Sequence, residues 1–190
     1  MTISLQIPTS KENLARLKAG ERVLLSGTIY TARDAAHKRM IDALDRGDKL
    51  PFPIEGACIY YTGPSPAKPG QIVGAAGPTT SYRMDAFAPR LLDIGLLAMI
   101  GKGDRGPSVL DAIRRNGAVY FAAVGGAGAL IAKSVQQIET IAYQDLGAEA
   151  ITKLTVKNLP VIVAIDSQGN DLYQIAAARK KQQEGRFSND

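Results

Sequence analysis

Leu96-Leu97-Ala98-Met99-Ile100, then Gly101-Lys102-Gly103-Asp104-Arg105-Gly106, then Pro107 to Asn116, then Ala118-Val119-Tyr120-Phe121-Ala122-Ala123-Val124 is the run whose reading decides the fold. Two short apolar segments flank a glycine-rich loop and a stretch of helical length. With a further helix predicted over Met84 to Asp93, the alternation argues for parallel strands joined by helical crossovers. The class expected is α/β, a mixed and largely parallel sheet with flanking helices.

Working outward toward the amino terminus, residues 1–8 read as an edge strand. Thr9 to Glu12 look like a cap before a helix over Asn13 to Ala19 that closes at Gly20. Val23 to Tyr30 is β-rich, and a helix from Ala35 to Asp45 places His37, Met40, Ile41 and Leu44 along one face. Pro51 and Pro53 precede an apolar strand, Ala57 to Tyr61. Thr62 to Gly70 is turn material, read as a surface loop, and Gln71 to Ala76 as a short strand. Toward the carboxyl terminus, Gly125 to Gly128 open a short helix through Lys133. Strands follow at Gln137 to Tyr143, Ile151 to Val156 and Leu159 to Ile165, with a turn at Ser167 to Asn170. The expected organisation is one domain over 1–178 and a polar tail over 179–190.

Composition narrows the function. The 190 residues suffice for one substantial core, and no apolar run approaches the ~20 residues that span a bilayer. The amino terminus lacks a signal pattern, so the cytoplasm is the expected location. Cys58 is the single cysteine, which excludes an internal disulfide and a self-sufficient cysteine metal or iron–sulfur site. The net charge of +5 is spread along the chain except at Arg179-Lys180-Lys181, and aromatic residues are few. That pattern favours acidic small molecules or an acidic partner surface over nucleic acid or a membrane.

Three stretches could do chemistry. In Gly77-Pro78-Thr79-Thr80-Ser81-Tyr82-Arg83-Met84-Asp85, a stiff Gly-Pro turn holds two hydroxyls close to a guanidinium. If Asp85 and Ala86 open a helix, the turn lies at its N-terminus and favours a carboxylate or phosphate; the same residues also serve as an ordinary helix cap. In Gly27 to Arg39, Arg33 stands at a strand-to-helix junction, Asp34 at the cap position, and His37 is the only histidine. A lone histidine on an apolar helix face is more often a core or supporting residue than a catalyst. Gly101 to Gly106 matches the G-x-G-x-x-G dinucleotide fingerprint, but Lys102 and Arg105 obstruct close backbone approach and no acidic residue stands near Gly126 to hold a ribose. Lys102 is better read as a cation presented at the C-terminal end of a strand.

Ser26 to Arg39, Tyr61-Thr62-Gly63-Pro64, Gly77-Pro78-Thr79-Thr80 with Arg83-Met84-Asp85, and Gly101-Lys102-Gly103 together resemble the β subunit, or C-terminal domain, of class I fumarate hydratase. The related L(+)-tartrate dehydratase β subunit shares the pattern, and the resemblance runs from about Gly20 to about Tyr173. It implies a swivelling β/β/α domain that covers a 4Fe-4S cluster held by a separate α subunit, with no metal ligand in this chain. By position, Arg33 and Arg83 would bind substrate carboxylates, Lys102 would help anchor them, and Thr79 would accept the proton from carbon. Asp34, His37 and Thr80 would support these groups. The implied activity is reversible hydration of fumarate to (S)-malate, with tartrate dehydration or a non-catalytic dicarboxylate-binding module as alternatives. A hetero-oligomer with the α subunit is expected; the isolated chain would be inactive and could pair with itself as a homodimer. Tyr82 departs from the smaller residue expected beside Arg83.

Overall fold

The computed structural model describes residues 2–123 and 128–187, and the expected helix opening at Gly125 to Ala127 lies outside them. Among the described residues, seven strands form one sheet in the order β1-β2-β3-β4-β5-β7-β6. They are β1 (Thr2–Ile7), β2 (Arg22–Thr31), β3 (Cys58–Tyr60), β4 (Ala98–Gly101), β5 (Val119–Ala123), β6 (Val135–Ala142) and β7 (Ile151–Ile165). The helices are α1 (Lys11–Leu14), α2 (Asp34–Asp45), α3 (Ala88–Asp93), α4 (Pro107–Asn116), α5 (Gly128–Ser134) and α6 (Leu172–Phe187). No helix is long and apolar enough to cross a membrane among the described residues.

Strands β1 through β5 pair in parallel, as the helical crossovers require. The long β7 runs antiparallel to β2, β5 and β6. Because β7 pairs with both β5 and β2, strands β2, β3, β4, β5 and β7 close into a ring, a barrel-like arrangement beyond the open sheet expected from the sequence. Closure leaves fewer unpaired backbone edges. Two long strands make it feasible. One edge of β2 pairs with β7 from Arg22 to Thr31, while the other serves β1 over its first half and β3 at its end. The handover falls at Gly27, with φ of +112° and a register shift between Leu25 and Gly27.

Alternation along the strands sends side chains into two cores. Cys58, Tyr60, Ala98, Ile100, Val119, Phe121, Leu154 and Val163 belong to one, shared by all seven strands. Ile59, Tyr61, Met99 and Tyr120 face the other way, against Met40 of α2, Leu91 of α3 and Ile113 of α4. Leu14, Tyr60, Tyr61, Phe121 and Met40 have no accessible surface. Each such side chain stabilises the fold by roughly 1.5–3 kcal/mol relative to exposure.

Several segments take a form the sequence expectation did not give. The helix expected over Met84 to Asp93 is a 3₁₀ turn, Ser81–Met84, followed by α3 from Ala88. Pro89 lacks the N–H that a helix begun at Met84 would require, so the helix starts where proline sits in its first turn. Gln71 to Ala76 forms no strand. Ser65 bonds Gly74 and Ala75, and the flanking Pro64 and Pro66 have no N–H to extend a ladder. Helix α1 is one turn beginning at Lys11, since Glu21 and Asp166 carboxylates take the N–H groups of Lys18 and Ala19. The two strands expected between Ile151 and Ile165 are one, with Asn158 in the left-handed region. Helix α6 continues past Arg179 to Phe187, so the polar stretch from that point is helical.

A Cβ at Gly27 would lie 2.0 Å from the Ile7 carbonyl oxygen at a backbone angle that L side chains rarely adopt. Gly27→Ala is expected to lower unfolding free energy by roughly 2–4 kcal/mol, read as a reduced urea midpoint. An unchanged midpoint would contradict the tight β1–β2 handover.

Candidate functional site

The parallel strands β2, β3 and β4 deliver their C-terminal ends to one edge, where Thr31 pairs beside Tyr60 and Tyr60 beside Ile100. Arg33 and Asp34 lie just beyond β2, Tyr61 to Gly63 just beyond β3, and Lys102 just beyond β4. This is where α/β sheets commonly present ligand-binding groups.

The segment 77–85 is laid across that edge and bonded to each strand end. Thr62 Oγ1 donates to the Gly77 carbonyl at 2.7 Å, and Thr79 N–H donates to the Tyr61 carbonyl at 2.7 Å. Thr80 forms a parallel bridge with Lys102. Arg83 Nε donates to Asp34 Oδ1 at 2.9 Å. These contacts bring Thr79, Thr80, Arg83, Asp34, Arg33 and Lys102 together on one shelf. The surface is open: Lys102 is exposed and the Arg83 side chain keeps 44% of its accessibility. Tyr82 projects outward at 65% exposure.

Arg33 is framed by groups that sequence reading did not find. Glu149 Oε1 lies 3.4 Å from Arg33 Nη2, and Glu149 Oε2 accepts the Ala35 N–H at 3.1 Å, so one carboxylate fixes both the guanidinium and the start of α2. No local signal could mark it, because Glu149 is 114 residues from Ala35. Gly63 leaves the space: a Cβ there would meet Arg33 Cδ at 3.3 Å and the Ala148 carbonyl at 2.6 Å. Among the described residues, Arg33 Nε and Asp34 Oδ2 are buried without a hydrogen-bond partner. A buried polar atom normally has a hydrogen-bond partner, so each of these calls for one.

His37 is fully buried, and its Nδ1–H donates to the Arg33 carbonyl at 2.9 Å. Burial pushes its pKa down to about 4, with the Arg105 charge adding to the fall and the Arg33 carbonyl opposing it. The imidazole is therefore neutral at physiological pH and steadies the Arg33 backbone from beneath. Burial also pushes the Cys58 thiol up, leaving it inert in the core.

The expected helix N-terminus behind Thr79 is absent: a 3₁₀ turn and Asp85 follow it instead. The dinucleotide fingerprint is resolved by the same carboxylate. Asp85 Oδ1 accepts from Arg105 Nε at 2.7 Å, and Asp85 Oδ2 accepts the N–H of Gly106, the cap residue of α4. The helix end that a pyrophosphate would use is already held by an internal anion. Arg105, read from the sequence as an obstructing cation, is buried, 5.2 Å from the Tyr61 ring centroid and 5.0 Å from that of Tyr120.

His37 binds fewer protons folded than unfolded between pH 6.5 and 4, so its contribution to stability is present above its ordinary pKa and is lost as pH falls toward 4. We expect urea unfolding to weaken over that window, by roughly 3 kcal/mol from this residue, and His37→Gln to flatten the difference. An identical pH slope in the variant would refute it.

Against known proteins, the family model described as Fumarase C-terminus matches residues 1–176. A class I, aerobic fumarate hydratase of Salmonella typhimurium is 36% identical over 176 residues, covering 90% of this chain and 30% of its own length. Fumarate hydratase 2 of Leishmania major is 35% identical, with 31% of its length covered. A putative L(+)-tartrate dehydratase subunit beta of Methanocaldococcus jannaschii is 39% identical, with 87% of this chain and 88% of its own length covered. The chain thus spans about a third of the fumarate hydratases and nearly the whole of the subunit.

Proposed function

The chain belongs to the Fumarase C-terminus family, and from that premise we propose that it is the β subunit of a hydro-lyase interconverting fumarate and (S)-malate. The observation that carries this reading is the gathering of Arg33, Arg83, Lys102 and the Thr79 and Thr80 hydroxyls at one sheet edge, a match for a small dianion. In this assignment Arg33 and Arg83 each take a substrate carboxylate. Asp34 occupies Arg83 Nε and so leaves the two terminal nitrogens for end-on pairing. Lys102 anchors the same ligand from the neighbouring strand end. Glu149 supports Arg33 much as Asp34 supports Arg83.

Thr79 accepts the proton from substrate carbon. A hydroxyl is a poor base at its ordinary pKa. With no helix N-terminus behind it, Lys102 and Arg83 are the groups of this chain that favour its ionised form, and an acidic group on the partner would prepare it. The exposed shelf also calls for a second surface to exclude water.

The residues of this chain do not fit a resident iron–sulfur cluster. Cys58 is buried in the core, and among the described residues no group of three or more His, Cys, Asp or Glu could hold a metal. We therefore assign a 4Fe-4S cluster, which would polarise the substrate hydroxyl, to an α subunit that this domain covers in swivelling fashion. The 39% identity to the putative tartrate dehydratase subunit keeps L(+)-tartrate as the second candidate substrate. The isolated chain is then inactive.

The test is a panel of malate, fumarate and L(+)-tartrate offered to this chain co-expressed with a cluster-bearing partner. Malate turnover is expected, and none by the chain alone; far faster tartrate turnover would reassign the substrate. Arg33→Ala and Arg83→Ala are each expected to lower kcat/KM by about 10–100-fold, since each leaves a carboxylate unpaired. Thr79→Val should lower kcat by about 10²–10⁴-fold, the usual range for a general base. Kinetics near wild type in all three would end the proposal.

A further inference from the structure

Behind Thr79 and Lys102 lies a set of side chains to which the reaction above gives no part. Ser81 binds both peptide groups of Lys102: its N–H donates to the Lys102 carbonyl at 2.9 Å, and its Oγ accepts the Lys102 N–H at 3.0 Å. On β5, the Tyr120 hydroxyl lies 2.9 Å from Ser81 Oγ and 2.9 Å from the Gly103 carbonyl. A phenol has one proton, and a carbonyl can only accept. The Tyr120 proton therefore goes to Gly103, and the Ser81 hydroxyl donates to Tyr120 Oη. The result is one directed chain from the Lys102 N–H through Ser81 and Tyr120 to the Gly103 carbonyl, closing on the loop where it began.

The slot that holds this chain is specific. Ser81 and Tyr120 have no accessible surface, so neither can touch a ligand on the shelf. Gly101 makes room: a Cβ there would fall 1.8 Å from Ser81 Oγ and 2.9 Å from Tyr61 Cδ2. Arg105 lies against the Tyr120 ring and is tied to Asp85, four residues beyond Ser81. Ser81 follows Thr79 and Thr80 and precedes Arg83 on one continuous segment. Whatever fixes Ser81 against Lys102 therefore fixes Lys102, Arg83 and the reacting hydroxyl relative to one another.

We propose that Ser81 and Tyr120 are positioning residues of this site, setting the separation of Lys102 from Thr79 and Arg83 through the Lys102 peptide groups. This rests on the hydro-lyase reading. In such a reaction a displacement of an ångström between base and anchor lowers turnover steeply, whereas carboxylate binding by Arg33 and Arg83 survives it. A role in packing alone would instead lower stability and leave turnover per folded molecule intact.

The experiment uses the chain co-expressed with its cluster-bearing partner, with steady-state malate dehydration and thermal unfolding measured on the same preparations. Tyr120→Phe keeps the ring and deletes the hydroxyl; it is expected to lower kcat about tenfold or more with KM for malate within about threefold. Ser81→Ala should give the same split and covers the case in which Tyr120→Phe folds poorly. Tyr30→Phe, which deletes a hydroxyl from a ring stacked on Phe52, is the control expected to keep wild-type kcat. The inference is overturned if both Tyr120→Phe and Ser81→Ala turn over malate like wild type per folded molecule, including when their melting temperatures drop, while Arg33→Ala is impaired. Should Arg33→Ala, Arg83→Ala and Thr79→Val also behave like wild type, the reading beneath it fails instead.

Discussion

The antiparallel pairing of β2 with β7 is the constraint on which the rest of the molecule depends. It runs from Arg22 to Thr31 on one strand and from Ile162 to Thr152 on the other, longer than any other pairing in the sheet. Each strand then has one free edge, and each divides that edge between two shorter partners: β1 and β3 on β2, β6 and β5 on β7. Without that double use the parallel strands would end in an open edge. Closure has a local consequence as well. It brings Thr152 against Thr31, where their hydroxyls meet at 2.6 Å in a buried contact, and thereby seats Glu149 beside the start of α2.

From that geometry follows the character of the shelf. The arginines around it are oriented by acids of the same chain: Arg33 by Glu149, Arg83 by Asp34, Arg105 by Asp85. The first two pairs are only partly buried, so water screens them and their worth as stabilising ion pairs is modest. Their value is geometric, since a guanidinium held at one nitrogen keeps its other donors in a fixed direction. Arg105 is different. Its side chain is fully buried, between two tyrosine rings and a carboxylate, where loss of any partner leaves a charge in a medium that solvates it poorly. That buried cation ties segment 77–85 to the loop after β4.

Some of this could be read along the chain. The apolar runs Leu96 to Ile100 and Ala118 to Val124, on either side of a glycine-rich loop and a helix-length stretch, were enough to expect parallel strands, and α4 spans the residues expected of it. Arg33, Thr79, Arg83 and Lys102 could be named because each sits at a strand end or a stiff turn, positions that local sequence marks. Helix boundaries were less legible. Pro89 decides where α3 begins, and the acceptors Glu21, three residues from Lys18, and Asp166, 147 residues from the Ala19 N–H it receives, decide where α1 ends.

Sequence by itself determined the strand and helix alternation, the single buried cysteine, and the cationic groups set at strand ends, because these depend on residue type and near-neighbour spacing. Only the tertiary structure decided that the sheet closes, that Glu149 stands beside Arg33, and that Asp85 fills the end of α4. It also decided that Ser81 and Tyr120 hold the Lys102 loop. Each of those is a meeting of groups 20 or more residues apart, and no local pattern specifies a partner at that range. Burial in a shared core is what brings them together.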